Sequence, residues 1–457
     1  MDDDSPWSIL IYMPYANDLS MCTEPIIASI SGGMQLGACE RNKMSKVSVY
    51  LQRKCRGQAG MRRDVWDSSP HKEESVCNHI TDWAEPSSHN SSSAKTFSNF
   101  LNWVGTMPGL NTSNYLIIIL GHGGSILEIC PDEDFSSWLS LEDAAIALQS
   151  FNILIKNRLK MLFLQNCCKS SLSAVCSLSS LSNVHVLASQ TILAAPNEYY
   201  CSLIRSLFIN PKCDMTELSA RIVEYEPSES YGVLSCFCIN NILPFQEALD
   251  TFLSHCATFL YSRVKSDSNY VEELLLQLRV YTITYYTGKI SDRYVDLIGL
   301  CKVLHDKAIQ DSIDSEWSSL VHDSFLSVLL HFKAFALFTS VSSSTCFASD
   351  NWCGLSMYFP FGCHSPTLPR SIVPYPFSGL HQPDVQISLQ PVLASVPAFV
   401  ALFDLFAPHE TGKKSDFEAA IAKIALSSPS SSGGVGSVWV SPWMRRQMEN
   451  ENADANN

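Results

Sequence analysis

The chain is short of charge, and of positive charge in particular. Only 17% of its 457 residues are charged, and 31 Lys and Arg stand against 45 Asp and Glu, a formal charge of −14. Such an acidic balance argues against nucleic acid or an anionic membrane surface as a main partner. Long apolar runs are missing too. The longest candidate, Phe325 to Phe338, is broken by Ser327, His331 and Lys333, so nothing reaches the length of a membrane span. The opening Met1-Asp2-Asp3-Asp4-Ser5-Pro6-Trp7 lacks the cationic start of a secretory leader, and the apolar run behind it, Ile9 to Met13, is too short. The expected location is the cytoplasm, or outside by a signal-peptide-independent route. No CxxC pair occurs: Cys167-Cys168 and Cys236-Phe237-Cys238 are too close for zinc spacing. The 17 cysteines, an odd number, read as reduced, buried small hydrophobes. No internal repeat is visible.

What is present is a set of apolar runs that end abruptly. Tyr115 to Leu120 is bounded by Asn114 and by Gly121-His122-Gly123-Gly124. A short run of this kind reads as a strand buried on both faces, typical of parallel sheets, whose ligands sit beyond the carboxyl ends of the strands. A second such run, Leu159 to Gln165, ends in Asn166-Cys167-Cys168. If the two strands are neighbours, a histidine and a thiol meet at one edge. Further strands are expected at Trp7–Met13, Lys46–Leu51, Val184–Ser189 and Gly232–Ile239. Helices are expected at Pro25–Ile30, closed by Gly32-Gly33, and at Ala94–Val104, Ser140–Phe151, Ser170–Ser180 and Glu198–Phe208. The basic stretch from Arg53 to Arg63 reads as a hairpin or extended loop, and Ser87 to Ser93 as a loop.

Strands alternating with helices give an α/β fold with a mainly parallel sheet of six strands. After Leu243 long amphipathic helices are expected at Phe245–Val264, Tyr270–Tyr285, Asp292–Gln310 and Ser315–Phe338. A last strand follows at Gly354–Pro360, then a proline-dense stretch, a short helix at Pro397–Phe406, and a Ser/Gly-rich tail. The expected divisions are a catalytic domain over 1–242, a helical region with a final strand over 243–364, and an extension of unknown role over 365–457.

The ordered pieces resemble the clostripain family of cysteine peptidases, of the caspase and legumain clan. Trp7 to Asp18 looks like its opening strand and turn, and Phe97–Val104 with Tyr115–Gly123 like its helix, strand and His-Gly. Leu139 to Glu142 looks like the next helix start, and Phe163 to Ser170 stands where the family has F-D-A-C-L-M. Leu187–Tyr200, Tyr294–Leu297 and Gly354–Pro360 resemble later segments. The resemblance implies a caspase-like three-layer sandwich. It also implies a cysteine endopeptidase with Cys168 as nucleophile, His122 as its partner, and an oxyanion hole from the N–H groups of Gly123 and Cys168. Cys167 takes the family's small alanine position and reads as a buried small residue.

Departures from the pattern shift the expected specificity. The family's acid two places before its cysteine is Asn166 here, and a second acidic region reads Ser189-Gln190-Thr191. Asn166, Ser189 and Gln190 are therefore the candidate pocket residues. Losing a carboxylate forfeits charge-assisted pairing with Arg or Lys; Glu198 is the remaining acid near by. Clostripain itself uses calcium, but Asp132, Glu133 and Asp134 match no defined calcium loop. They read as an acidic surface loop, and no cofactor or metal is expected. The expected partner is a protein or peptide substrate, including this chain itself through self-processing. A homologue without turnover, acting as a binding or scaffold module, is the alternative.

Overall fold

A computed structural model describes residues 6–40, 45–68, 78–83, 90–107, 113–124, 126–227, 230–266, 270–278, 281–286, 291–311, 315–342 and 352–358, with 392, 395–396, 398–399 and 402. At its centre lie five parallel strands: β1 (Trp7–Tyr15), β2 (Val47–Cys55), β5 (Asn114–Leu120), β8 (Leu159–Gln165) and β9 (His185–Ser189). All nine residues of β1 are buried, as a strand covered on both faces requires. In-register pairs such as Ile9–Leu116 and Ile11–Ile118 turn toward one face. There they join Ile26, Ile30 and Met34 of α1 (Thr23–Glu40) and Leu203, Ile204 and Leu207 of α5 (Tyr200–Ile209) in one apolar cluster. On the other face Tyr12 meets Phe97 and Phe100 of α2 (Ala94–Gly105), at centroid distances of 5.0 and 5.6 Å. Tyr115 meets Phe151 of α3 (Leu141–Leu154) edge-on at 5.6 Å. Fully burying each such side chain stabilises by roughly 1.5–3 kcal/mol.

The sheet has nine strands rather than six. Its order runs from edge strand Ala336–Val341 through β10 (Val233–Cys238), β9, β8, β5, β1 and β2 to β3 (Arg62–Asp67) and β4 (Asn78–Trp83). The six expected strands are consecutive in it. β10 is antiparallel to β9, and the outer strands pair antiparallel as well. The basic stretch from Arg53 to Arg63 is the hairpin between β2 and β3, one of its two expected forms, while β4 beyond it was not expected; charge at Asp82 suits β4 to a sheet edge.

Two helix boundaries differ from expectation, and one further helix is present. Helix α1 does not stop at Gly32-Gly33; it runs to Glu40. A Cβ on Gly33 would lie 2.7 Å from the Cys201 carbonyl oxygen, and one on Gly37 would lie 2.1 Å from the Phe208 ring. These glycines let α1 approach α5 and do not terminate it. The helix after Cys168, α4, is confined to Leu172–Ser177. Helix α6 (Met215–Glu224), capped by Asp214, was not anticipated.

The residues from Leu243 onward include α7 (Ile242–Ser266), α8 (Tyr270–Leu278), α9 (Leu297–Asp311) and α10 (Ser315–Phe335). The expected helices at Tyr270–Tyr285, Asp292–Gln310 and Ser315–Phe338 give way at one end to strands Thr282–Tyr286, Ser291–Asp296 and Ala336–Val341. Contacts divide the chain into one unit of Met1–Ile242, Ile283–Asp292 and Lys333–Ser356 and a second of Leu243–Thr282, Arg293–Phe332 and Met357–Asn457. In the second, Phe245–Phe332 and Phe252–Phe325 pack with centroids 5.5 Å apart. The proline-dense stretch, the Ser/Gly-rich tail and most of Pro397–Phe406 lie outside the described residues. Among the described residues no helix is long and apolar enough to cross a membrane.

Candidate active site

Parallel strands deliver their carboxyl ends to one edge, and β8, β5 and β1 are consecutive neighbours in the sheet. The segments leaving them therefore stand side by side. Beyond β1 comes Asn17, whose buried side chain accepts from the Leu19 N–H at 3.0 Å and donates to the Pro131 carbonyl at 3.0 Å. This fixes the turn that presents Asp18. Beyond β5 comes His122, and its Nε2 lies 2.6 Å from Asp18 Oδ1. The His122 hydrogen bond holds the Asp18 carboxyl below its ordinary value. An ionised carboxylate only accepts, so Nε2 is the donor in this pair, and Nδ1 is the acceptor nitrogen of the neutral tautomer that this contact selects.

The Gly121–Gly124 segment is strapped from several sides. The His122 carbonyl accepts from Cys130 N–H at 2.9 Å, and Gly124 N–H donates to the Glu128 carbonyl at 2.8 Å. Both contacts belong to the hairpin of β6 (Glu128–Asp132) and β7 (Ser137–Ser140). The buried ammonium of Lys169 donates to the Gly124 and Ile126 carbonyls at 3.2 and 3.3 Å. Gly121 has φ +151°, and a Cβ there would sit 3.1 Å from Cys130 Sγ.

The two cysteines beyond β8 differ sharply. Cys168, the expected nucleophile, is 2% exposed and has a left-handed backbone, φ 57°. Its N–H donates to the Thr191 carbonyl at 2.9 Å. The N–H expected to serve an oxyanion hole is thus engaged by the segment after β9. Cys167, expected to be the buried one, is only partly buried. Its sulfur accepts from Leu193 N–H at 3.3 Å. Burial pushes the Cys167 thiol up, opposed by the Leu193 backbone, the Lys169 charge and the N–H groups of Gly123 and Cys167 itself. A Cβ on Gly123 would fall 2.1 Å from the Cys167 carbonyl oxygen, so only glycine fits between His122 and this turn.

The three expected pocket residues all turn inward. Asn166 is fully buried, and its amide donates to the Gly121 carbonyl at 2.9 Å and the His122 carbonyl at 3.3 Å. It holds the histidine segment. Ser189 donates to the Val233 carbonyl at 2.9 Å, and Gln190 is 1% exposed. Glu198 is exposed, while Ile192 and Ala194 to Pro196 form an exposed rim around Leu193.

The acidic stretch is a surface turn at Glu133 and Asp134, as expected, but not at Asp132. Asp132 is fully buried and pairs with the buried Lys54 ammonium at 2.9 Å, and Ser91 adds two bonds at 2.7 Å. Asp134 lies 3.2 Å from Lys54 and Glu133 3.3 Å from Arg56. Among the described residues no three His, Cys, Asp or Glu side chains form a metal-binding group. Asp18 was missed in the sequence, although one signal was there: like His122, it closes the turn after a buried strand.

No protein-family model and no curated protein sequence matches the chain. Solved structures do. The chain is similar to a secreted C11 cysteine protease from Bacteroides thetaiotaomicron, determined in complex with an irreversible peptide inhibitor. That likeness has 14% identity and a TM-score of 0.54, over 85% of this chain and 99% of the other. It is also similar to an inactive zymogen C11 protease from Parabacteroides distasonis, at 15% identity and a TM-score of 0.51, over 79% of this chain and 93% of that one. A further Bacteroides thetaiotaomicron structure, a secreted C11 cysteine protease called iotapain, gives 11% identity, a TM-score of 0.52 and coverage of 78% and 93%. At these identities the likeness shows the fold: the mixed α/β fold of C11 cysteine proteases.

Proposed function

We propose that the chain is a cysteine peptidase acting at the carboxyl edge of β5 and β8. One observation carries the reading. Two neighbouring parallel strands end in a histidine and in a pair of thiols, with Gly123 packed against Cys167. A thiol is the side chain most readily made nucleophilic near neutral pH. His122, with Nε2 committed to Asp18, has Nδ1 to take the thiol proton and return it to the leaving amine. The nucleophile belongs to the Cys167–Cys168 pair; resemblance to clostripain points to Cys168, paired with His122. Gly123 N–H is the oxyanion donor of the reading. Because Asn166 stands where the family resemblance places an acid, the reading favours cleavage beside residues other than Arg and Lys.

The test is hydrolysis of a peptide library varied at the cleavage position, in reductant. Wild type is compared with His122→Ala and with the double variant Cys167→Ser/Cys168→Ser. The expected result is turnover by wild type, a loss of about a hundredfold or more without the histidine, and none in the double variant. Turnover that survives in the double variant would refute cysteine catalysis. No turnover by wild type would leave the fold as a binding module, and a preference for Arg or Lys would overturn the specificity reading alone.

A further inference from the structure

Resting on the peptidase reading, we infer that the nucleophile is Cys167 and that Cys168 is a structural residue of the same turn. The two thiols are adjacent in sequence, but the backbone separates their roles. Cys168 adopts a left-handed conformation, φ 57°, which L-residues other than Gly, Asn and Asp seldom take. The next links of the chain are paired inward: Cys168 N–H donates to Thr191 O at 2.9 Å, and Ser170 N–H to Ser189 O at 2.8 Å. The Cys168 side chain goes with them, to 2% exposure. A thiol that deep cannot meet a peptide carbonyl without rebuilding the turn.

Cys167 precedes that reversal. It is the one partly exposed residue from Met161 to Ser170. Its backbone lies against Gly123: a Cβ there would be 2.1 Å from the Cys167 carbonyl oxygen and 3.1 Å from its nitrogen. The residue following the histidine is thus seated on Cys167. The Leu193 N–H donates to its sulfur at 3.3 Å and the Leu193 carbonyl lies 3.7 Å from it, so this residue fixes where the sulfur sits; burial pushes the thiol up, and the N–H donor on sulfur counters it. Lys169 and the Gly123 and Cys167 N–H groups act in the same sense against burial. Leu193 is itself partly buried, between the exposed Ile192 and Ala194 to Pro196, and on this proposal an extended peptide approaches the sulfur from that rim.

The step balances. The Cys167 sulfur attacks the carbonyl carbon and its proton passes to His122. As the C–S bond forms and the C–N bond breaks, that proton leaves on the amine. Water then hydrolyses the thioester, releasing the acid and restoring the thiol.

The experiment uses the full chain and a peptidyl acyloxymethyl ketone bearing the best residue from the library, with the labelled cysteine located by mass spectrometry. The expected result is stoichiometric label on Cys167, loss of label in His122→Ala, and a fall in turnover of about 10³-fold or more in Cys167→Ala. Cys168→Ala is expected to turn over within about tenfold of wild type. Should Cys168→Ala misfold, the label position on wild type still decides. Label on Cys168, with Cys167→Ala active, would overturn the inference and leave the peptidase reading standing. No turnover and label scattered over many cysteines would overturn both.

Discussion

Asp18 holds His122 through a single bond whose two ends differ in exposure: the carboxylate is 70% exposed and the imidazole 37%. That exposure limits its worth. Exposed ion pairs contribute about 0–1 kcal/mol, and 1.36 kcal/mol corresponds to a tenfold rate. Asp18→Asn should therefore lower kcat/KM by no more than about fivefold, with less effect in high salt. Measuring kcat/KM of wild type and variant at two ionic strengths checks this; a hundredfold loss would show a far stronger coupling. The pH sign follows from the depressed carboxyl. Its contribution to stability is complete above the unfolded value of 3.8 and is lost only as pH falls below it, through the folded value. The carboxylate therefore stays ionised across neutral pH and adds no pH dependence of its own there. His122 and the cysteine pair were legible because each closes a buried run. The difference in backbone and exposure between Cys167 and Cys168 was not, because a left-handed φ leaves no trace in side-chain type; nor was Asp18, because an acid in a turn reads as solvated.

At the scale of elements, glycine carries two meanings that sequence alone does not separate. Gly32-Gly33 after an apolar stretch has the look of a helix end, yet α1 continues because those positions face α5. The two contacts predict different mutants. A Cβ on Gly33 meets the Cys201 backbone oxygen, which cannot move aside, whereas one on Gly37 meets the Phe208 ring. Both alanine variants should destabilise by roughly 1–3 kcal/mol, as overpacked cores do. Only Gly37→Ala should be partly rescued by shortening its partner, in the double variant Gly37→Ala/Phe208→Leu. Urea unfolding of the singles and the double gives the coupling energy; additive costs would show that the ring is not what Gly37 accommodates. The same limit applies to β3 and β4. Their charge fits an edge strand as well as a loop, and pairing with β2 decides.

Over the whole molecule, the parallel core was legible because each central strand announces itself by an uninterrupted apolar run, and the rule of parallel crossovers then fixes the architecture. What sequence could not show is how distant pieces are tied at the functional edge. Lys54 at the end of β2, Ser91 before α2 and Asp132 in β6 come from separate parts of the chain and share one buried knot. Asp132 read as surface because its partner is 78 residues away. Both charges are at most 1% exposed, so solvent screening does not discount them. Removing one partner of such a pair leaves the other charge buried and unpaired, which costs about 3–5 kcal/mol. Lys54→Met should therefore lower stability by that amount in urea unfolding. Lys54→Met/Asp132→Asn should recover part of it, because a neutral amide still accepts from the Ser91 N–H and hydroxyl. The hairpin β6–β7 also braces His122 through Cys130, so the single variant should lose turnover along with stability, and the double should regain both. A Lys54→Met protein as stable as wild type would mean that this pair does not hold the edge together. Recovery of stability without turnover would separate the knot from the placement of His122.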